Sequence, residues 1–386
     1  MDEEEIHFFC NICGGPPTYK RLIKRSSLPF LHEEDHLDEH ETYDDYCTCI
    51  AGLGGESVQQ THSRFCNAIL GYDARDVGLK DIEWLGDVRL VTHQIPDAHL
   101  FTQKDSVDLP MVSPLAEHVD PQSGGFFYPR LLNPRDPGGN FLECNKDGFL
   151  VHDTCLGMLK LVHRDTVSAT RPLDLHGFLS VMELGPSDRQ HLSFDWGYGN
   201  TFHYEDRFNF NGWVPVEHSE WTVMDPNGPF DLKDLIAEAS SESSSGLSFA
   251  FHPDKIHDES NSTRSLLSIP RELQLCILEM LPTQSVLSLF LASPHFRTCA
   301  KDLPRSFWES RLYFDVPWCA DMVLSQISQQ RRSEVHLDRL LYLLREVSAV
   351  AGYERDWDYL ALKNRRRIWL NCERILQDIK SHEELK

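Results

Sequence analysis

Ser268–Phe296, SIPRELQLCILEMLPTQSVLSLFLASPHF, carries the most regular apolar pattern in the chain. Ser268 is a good helix N-cap, and Pro270 suits a first turn, where its missing N–H is no loss. Leu273, Ile277, Met280 and Leu281 then recur at i, i+4, i+7 and i+8 and line one helix face. Pro282 ends that helix, Thr283 caps the next, and Val286, Leu289 and Phe290 form the second apolar face. Pro294 ends the second helix, and LPRSFWESRLYF makes a further short one around Trp308. Leu275, Leu278, Leu287 and Leu291 lie off those faces. A bundle of roughly 45 residues is near the limit of independent stability. Apolar residues on more than one face therefore imply that part of this hairpin is covered, by the rest of the chain or by a partner.

The chain around it is polar and acidic. Its 386 residues suit two or three domains, and 41% hydrophobic with 10% aromatic content is ordinary for folded cores. A formal charge of −23 argues against general affinity for nucleic acid or anionic membrane. The eleven cysteines are scattered rather than framed, and most are expected as small buried hydrophobes. MDEEEIHFF has no basic stretch followed by an apolar one, so no secretory signal is expected, and no apolar run approaches the length of a membrane span. A reducing compartment, cytoplasm or nucleus, is the expected location.

Composition separates five zones, and the expected fold class is α+β. Residues 1–65 are rich in cysteine, histidine and acid. Residues 66–238 look like a mixed α/β domain, with β-type runs such as DVRLVTHQI and GFFYPRLL between turn clusters such as NPRDPGGN. FLVHDTCLGMLKLV predicts a helix with Val151, Cys155, Met158, Leu159 and Val162 at helical spacing, and Asp174–Glu183 and Leu232–Ala239 predict two more. Residues 239–265 are serine-rich and too poor in aliphatics to offset chain entropy, so they are expected as a linker. Residues 266–314 hold the helical hairpin, and 315–386 form a helical C-terminal tail. In that tail Leu337, Leu340, Leu341, Leu344 and Val347 make one stripe, and Ile368, Cys372, Ile375, Leu376 and Ile379 another.

The residues SIPRELQLCILEMLPTQSVLSLFLASPHFR and FWESRLY resemble an F-box: Leu-Pro-x-Glu, helix, Leu-Pro, helix, a small residue pair, and a downstream tryptophan. Ile269, Pro270, Glu272, Leu273, Ile277, Leu281, Pro282, Val286, Leu289, Ala292, Ser293 and Trp308 fall in that register. Ile269 replaces the usual leucine, and Ser285 stands where aspartate is common. FFCNICGGP, VHDTC, EWTVMDP, SFWESRLYFDVPW and LKNRRRIW are similar to the large F-box proteins of filamentous fungi, although these motifs come without an assigned chemistry.

The resemblance implies a substrate-receptor subunit of a cullin–RING ubiquitin ligase. Ile269, Pro270, Leu273, Ile277, Leu281, Pro282, Val286 and Leu289 would dock a Skp-type adaptor, and the mixed domain would recruit a protein substrate. Such a subunit is non-catalytic and acts by proximity. The alternative is a Skp-binding or other interaction scaffold without a ligase role. A third possibility, an enzyme in residues 66–238, has no clustered polar motif behind it.

Cys10 and Cys13 form CxxC followed by Gly14 and Gly15, a knuckle able to present two thiolates to a structural zinc ion. Cys47 and Cys49 are expected partners, with His32, His36 and His40 as an alternative set that could equally be a solvated acidic helix face. Free thiols packed in a hairpin remain the competing reading, and a redox CxxC lacks a preceding strand. In VHDTC, His152, Asp153 and Cys155 invite a nucleophile–base reading, but Cys155 belongs to the apolar stripe and is expected as a buried structural thiol. The aromatic run from Phe194 to Trp221 suits a β-sheet core or a recognition surface. KNRRR at 363–367 suits a solvated helix face or a basic import patch.

Overall fold

A hairpin of β-branched and aliphatic residues organises the first part of the chain. In the computed structural model, α1 (Leu79–Ile82) and a 3-10 turn (Glu83–Gly86) lead into β1 (Val88–Thr92), followed by β2 (Met111–Val112), β3 (His118–Asp120), β4 (Gly125–Tyr128), β5 (Asn140–Glu143) and β6 (Phe149–His152). The helices α2 (Asp153–Thr166) and α3 (Leu175–Glu183) follow, and α4 (Lys233–Ser240) comes after a second 3-10 turn, Glu220–Thr222. The remainder is helical: α5 (Arg271–Met280), α6 (Thr283–Ala292), α7 (Arg305–Asp315), α8 (Ala320–Gln329), α9 (Leu337–Val347) and α10 (Leu360–Glu384). The structure describes residues 9–17, 77, 79–93, 110–116, 118–120, 125–128, 140–143, 148–184, 220–228, 232–240, 269–293, 296, 303–329, 335–349 and 359–385. The fold class is α+β, as expected. No helix among the described residues is long and apolar enough to cross a membrane.

The chain divides into two units, Met1–Pro229 with Tyr353–Lys386, and Phe230–Gly352. The C-terminal tail is thus divided at Tyr353, and its last helix belongs with the N-terminal half. Ala239 and Ser240, the first two residues of the expected linker, close helix α4 instead; residues 241–265 and the 194–219 part of the aromatic run lie outside the described residues.

In the first unit, β1 is the centre of an antiparallel sheet of order β2-β1-β6, and β3-β4-β5 form a second antiparallel sheet. Val88 pairs with His152 and Val91 with Phe149, so the β1–β6 ladder ends where α2 begins. Sequence periodicity predicts one helix across 149–162; instead its first four residues are strand. An apolar run of that length suits either state, and β1 supplies the edge that FLVH pairs with. Helix α2 starts at Asp153, whose backbone N–H donates to the Asp87 carbonyl at 2.7 Å. Its carboxylate accepts from Arg89 Nε at 2.5 Å.

Helix α10 is the spine of this unit and lies against α2, α3 and the Glu220–Thr222 turn. Its Leu362, Ile368, Cys372 and Ile375 are fully buried, as are Leu159 of α2 and Phe178 of α3. Gly177 allows α3 and α10 to approach: a Cβ there would lie 2.5 Å from Ile379 Cγ2.

The second unit is a helical bundle in which α9 lies against α4 and α7, and α7 against α8. Leu278, Val286, Phe290, Phe307, Leu312, Leu340 and Leu344 make its core. Arg339 of α9 reaches Glu238 of α4 at 3.0 Å.

Candidate metal centre and docking face

The CxxC knuckle is a tight turn. Gly14 N–H donates to the Cys10 carbonyl at 2.7 Å, Cys10 N–H to the Gly15 carbonyl at 2.9 Å, and Gly15 N–H to Cys13 Sγ at 3.3 Å. Gly14 holds φ at 73°, the left-handed region that glycine enters without a Cβ penalty. A Cβ on Gly15 would sit 3.2 Å from both Cys13 Sγ and His152 Cε1, a tight approach at which the neighbours would have to give by a few tenths of an ångström.

The knuckle is seated on the end of β6. Asn11 N–H donates to the Leu150 carbonyl at 2.8 Å, and His152 N–H donates to Cys10 Sγ at 3.3 Å. His152, the last strand residue, and Cys155, in the first turn of α2, thereby meet Cys10 and Cys13. The four ligand atoms lie within 4.8 Å of one another, all buried, and could hold a metal ion. Tetrahedral coordination at a metal–sulfur distance of about 2.3 Å spaces ligand atoms about 3.8 Å apart, which fits. His152 Nδ1 stands 3.3 Å from Cys13 Sγ and 3.9 Å from Cys155 Sγ.

Burial works to raise the Cys10 thiol, but hydrogen bonds from Cys13 and Cys155 and the His152 charge hold it well below its ordinary value. Burial and the neighbouring Cys10 and Cys13 sulfurs push Cys155 well up. Burial opposes protonation of His152, yet the Cys10 and Cys13 sulfurs raise it well above the ordinary imidazole value.

The outer layer comes from segments far along the chain. Trp84 meets the His152 ring edge-on at 4.9 Å between centroids, and its Nε1 donates to the Val223 carbonyl at 2.8 Å. From α10, Asn371 Nδ2 donates to the Ile12 carbonyl at 3.0 Å and Arg367 Nη1 to the Cys13 carbonyl at 2.6 Å. Arg367 also donates to Asn364 Oδ1 and to the Thr222 carbonyl. Asn364 Nδ2 holds the Met224 carbonyl at 2.6 Å, and Arg365 Nη1 reaches Asn227 Oδ1 at 2.6 Å. KNRRR is therefore neither a solvated face nor an import patch: Lys363, Asn364, Arg365 and Arg367 are buried. CNICGG, VHDTC, EWTVMDP and LKNRRRIW, unconnected in the sequence, converge on this one place.

Of the residues in this cluster, Cys10 and Cys13 are expected from the sequence as ligands, and His152 and Cys155 are not. Cys47, Cys49, His32, His36 and His40 lie outside the described residues; the residues beside the CxxC are His152 and Cys155. HxxC repeats the two-residue ligand spacing of CxxC, and that is the signal available in the sequence. The expected burial of Cys155 holds, and its neighbours supply the reason for it.

In the second unit the hairpin turns a different face inward than its spacing suggests. Gln274 and Leu278 of α5 and Val286 and Phe290 of α6 are buried, whereas Leu273 is 54% and Met280 86% exposed. Ile269, Ile277, Leu281 and Leu289 are half-buried, and Pro270 and Pro282 exposed. Val286 is fully buried, so this residue belongs to the bundle core rather than to a contact surface. The reason is Arg311 of α7, which is buried and donates to the carbonyls of Leu278, Glu279 and Leu281 and to Thr283 Oγ1. It thereby draws the C-terminal end of α5 onto α7, with the ring of Phe307 5.0 Å beneath its guanidinium. Trp308 is buried and meets Phe307 edge-on at 5.1 Å. Exposed Tyr313 and Phe314 end α7.

No protein-family profile, no curated protein and no solved structure matches this chain.

Proposed function

We propose that this protein is a non-catalytic adaptor, the substrate-receptor subunit of a cullin–RING ubiquitin ligase. The α5–α6 hairpin docks a Skp-type adaptor, and the first unit recruits a protein substrate. One observation carries the reading: the hairpin completes its own core with Leu278, Val286 and Phe290 and still leaves Leu273 and Met280 standing outward. Seven residues apart, Leu273 and Met280 share one face of α5, and a contiguous exposed apolar patch marks an interaction site. Ile277, Leu281, Pro270 and Pro282 extend that surface, in the register that resembles an F-box. The receptor raises the effective concentration of substrate lysines near the ubiquitin thioester and breaks no bond itself.

The metal ion that suits the cluster in the first unit is zinc, in a structural role. Three thiolates and one imidazole in a closed tetrahedral set favour zinc over the harder divalent cations. All four ligands are buried. Zinc there joins a knuckle at residues 10–15 to a strand end and helix start 139 positions away, so its binding energy is folding energy.

Co-purification of the full chain tests the function. A Skp-type adaptor and cullin are expected together in the wild-type eluate. Adaptor without cullin would support the scaffold alternative, and neither would remove the reading.

A further inference from the structure

Resting on the zinc reading above, we infer that Arg367 is the counter-charge of the metal centre, so that the last helix of the chain is part of the site rather than a support for it. Three thiolates, a neutral imidazole and a divalent ion leave the loaded site with one net negative charge. Buried charge of that kind needs a compensating charge nearby. Arg367 is the buried cation beside it: 4% exposed, with Nη1 2.6 Å from the carbonyl oxygen of the ligand residue Cys13. Its Nε donates to Asn364 Oδ1 and its Nη2 to Asn364 Oδ1 and the Thr222 carbonyl, and its guanidinium stands 5.7 Å over the Trp221 ring, which fixes its position. These acceptors are neutral; the metal–thiolate unit would supply the opposite charge.

Arg367 thus links two functions. Through the Cys13 carbonyl it fixes the knuckle, and through its charge it stabilises the anionic form of the centre. Asn371 performs the first function alone, since it holds the Ile12 carbonyl and carries no charge. The two residues therefore separate geometry from charge. The charge has a further consequence: a Cys155→His change gives a two-cysteine, two-histidine set whose zinc complex is neutral, and Arg367 then has nothing to balance.

Zinc affinity of the full-length chain, read by competition with a chromophoric chelator, tests this. R367Q is expected to bind zinc about 10–100-fold more weakly than wild type, the usual cost of losing an outer-sphere partner. R367K is expected to recover most of that loss, and N371A to lose less than R367Q. In the C155H background, the R367Q change is expected to cost clearly less than in wild type, leaving only the loss of the hydrogen bond to the Cys13 carbonyl. If R367Q alone does not fold, C155H and C155H/R367Q still form the comparison. Equal affinity of R367Q and wild type, equal loss in R367K and R367Q, or an undiminished loss in C155H would overturn the inference while leaving zinc in place. A wild-type chain without zinc would instead sink the reading on which it rests.

Discussion

His152 Nε2 lies 2.9 Å from the carbonyl oxygen of Pro16, and that contact decides which ring nitrogen faces the cysteines. A carbonyl only accepts, so Nε2 carries the proton and, once the ring is neutral, Nδ1 is left with a lone pair toward the three sulfurs. His152→Ala and Cys155→Ser are each expected to lower zinc content well below one ion per chain. His152→Cys is expected to retain it as a four-cysteine set, and a Cys47→Ser/Cys49→Ser variant to stay at the wild-type level. Elemental analysis of the purified full-length proteins measures all four, and a loss confined to the 47/49 variant would reverse the assignment.

Zinc uptake should release protons. In the metal-free cluster His152 is held protonated by the neighbouring sulfurs, and Cys155 is kept a thiol by burial. Both must give up a proton to bind, so raising the pH removes competition and zinc affinity rises. Calorimetric titrations in buffers of different ionisation enthalpy count the protons; an affinity flat across neutrality would contradict the protonation scheme.

Gly14 at φ 73° occupies the left-handed region that a side chain would make costly. Gly14→Ala places a Cβ in the left-handed region at a cost of about 1–2 kcal/mol. A lowered melting temperature of the zinc-loaded chain is expected, with the metal still bound. An unchanged melt would mean that the turn relaxes to another conformation.

Arg311 donates to the carbonyls of Leu278, Glu279 and Leu281 at the C-terminal end of α5. Arg311→Met is expected to destabilise the second unit by about 1.5–3 kcal/mol, the worth of hydrogen bonds made by a charged group. Hydrogen exchange should show faster exchange along α5 and α6 and little change in α10. Uniform protection throughout would deny Arg311 this role.

Most helices were legible from the sequence, because Leu337–Val347 and Ile368–Ile379 keep helical spacing on a single buried stripe. The half of the metal centre that was legible is the half that is local: CxxC-Gly-Gly announces its own turn. His152 and Cys155 were not, because the CxxC lies 139 positions away from His152 along the chain and meets it only through its seat on β6. FLVH hid the strand, since its apolar side chains continue the stripe of the helix behind it. KNRRR misled for a related reason. Charged residues signal solvent on average, and nothing in the sequence says that these meet the carbonyls of Cys13, Thr222, Met224 and Pro226. In the hairpin, leucine spacing gave two candidate inner faces, and Arg311, thirty positions beyond Leu281, selects between them.

The outward face of α5 carries the functional claim. Purified full-length chain titrated with a purified Skp-type adaptor tests it most directly, comparing wild type with L273D/M280D. Both side chains are exposed, so the double variant should melt within about 1 kcal/mol of wild type. Leu278→Ala, a buried truncation, should instead cost about 2–5 kcal/mol. The account predicts a one-to-one complex for wild type and its loss in L273D/M280D with folding intact. No complex with wild type, or equal binding by both proteins, would contradict it.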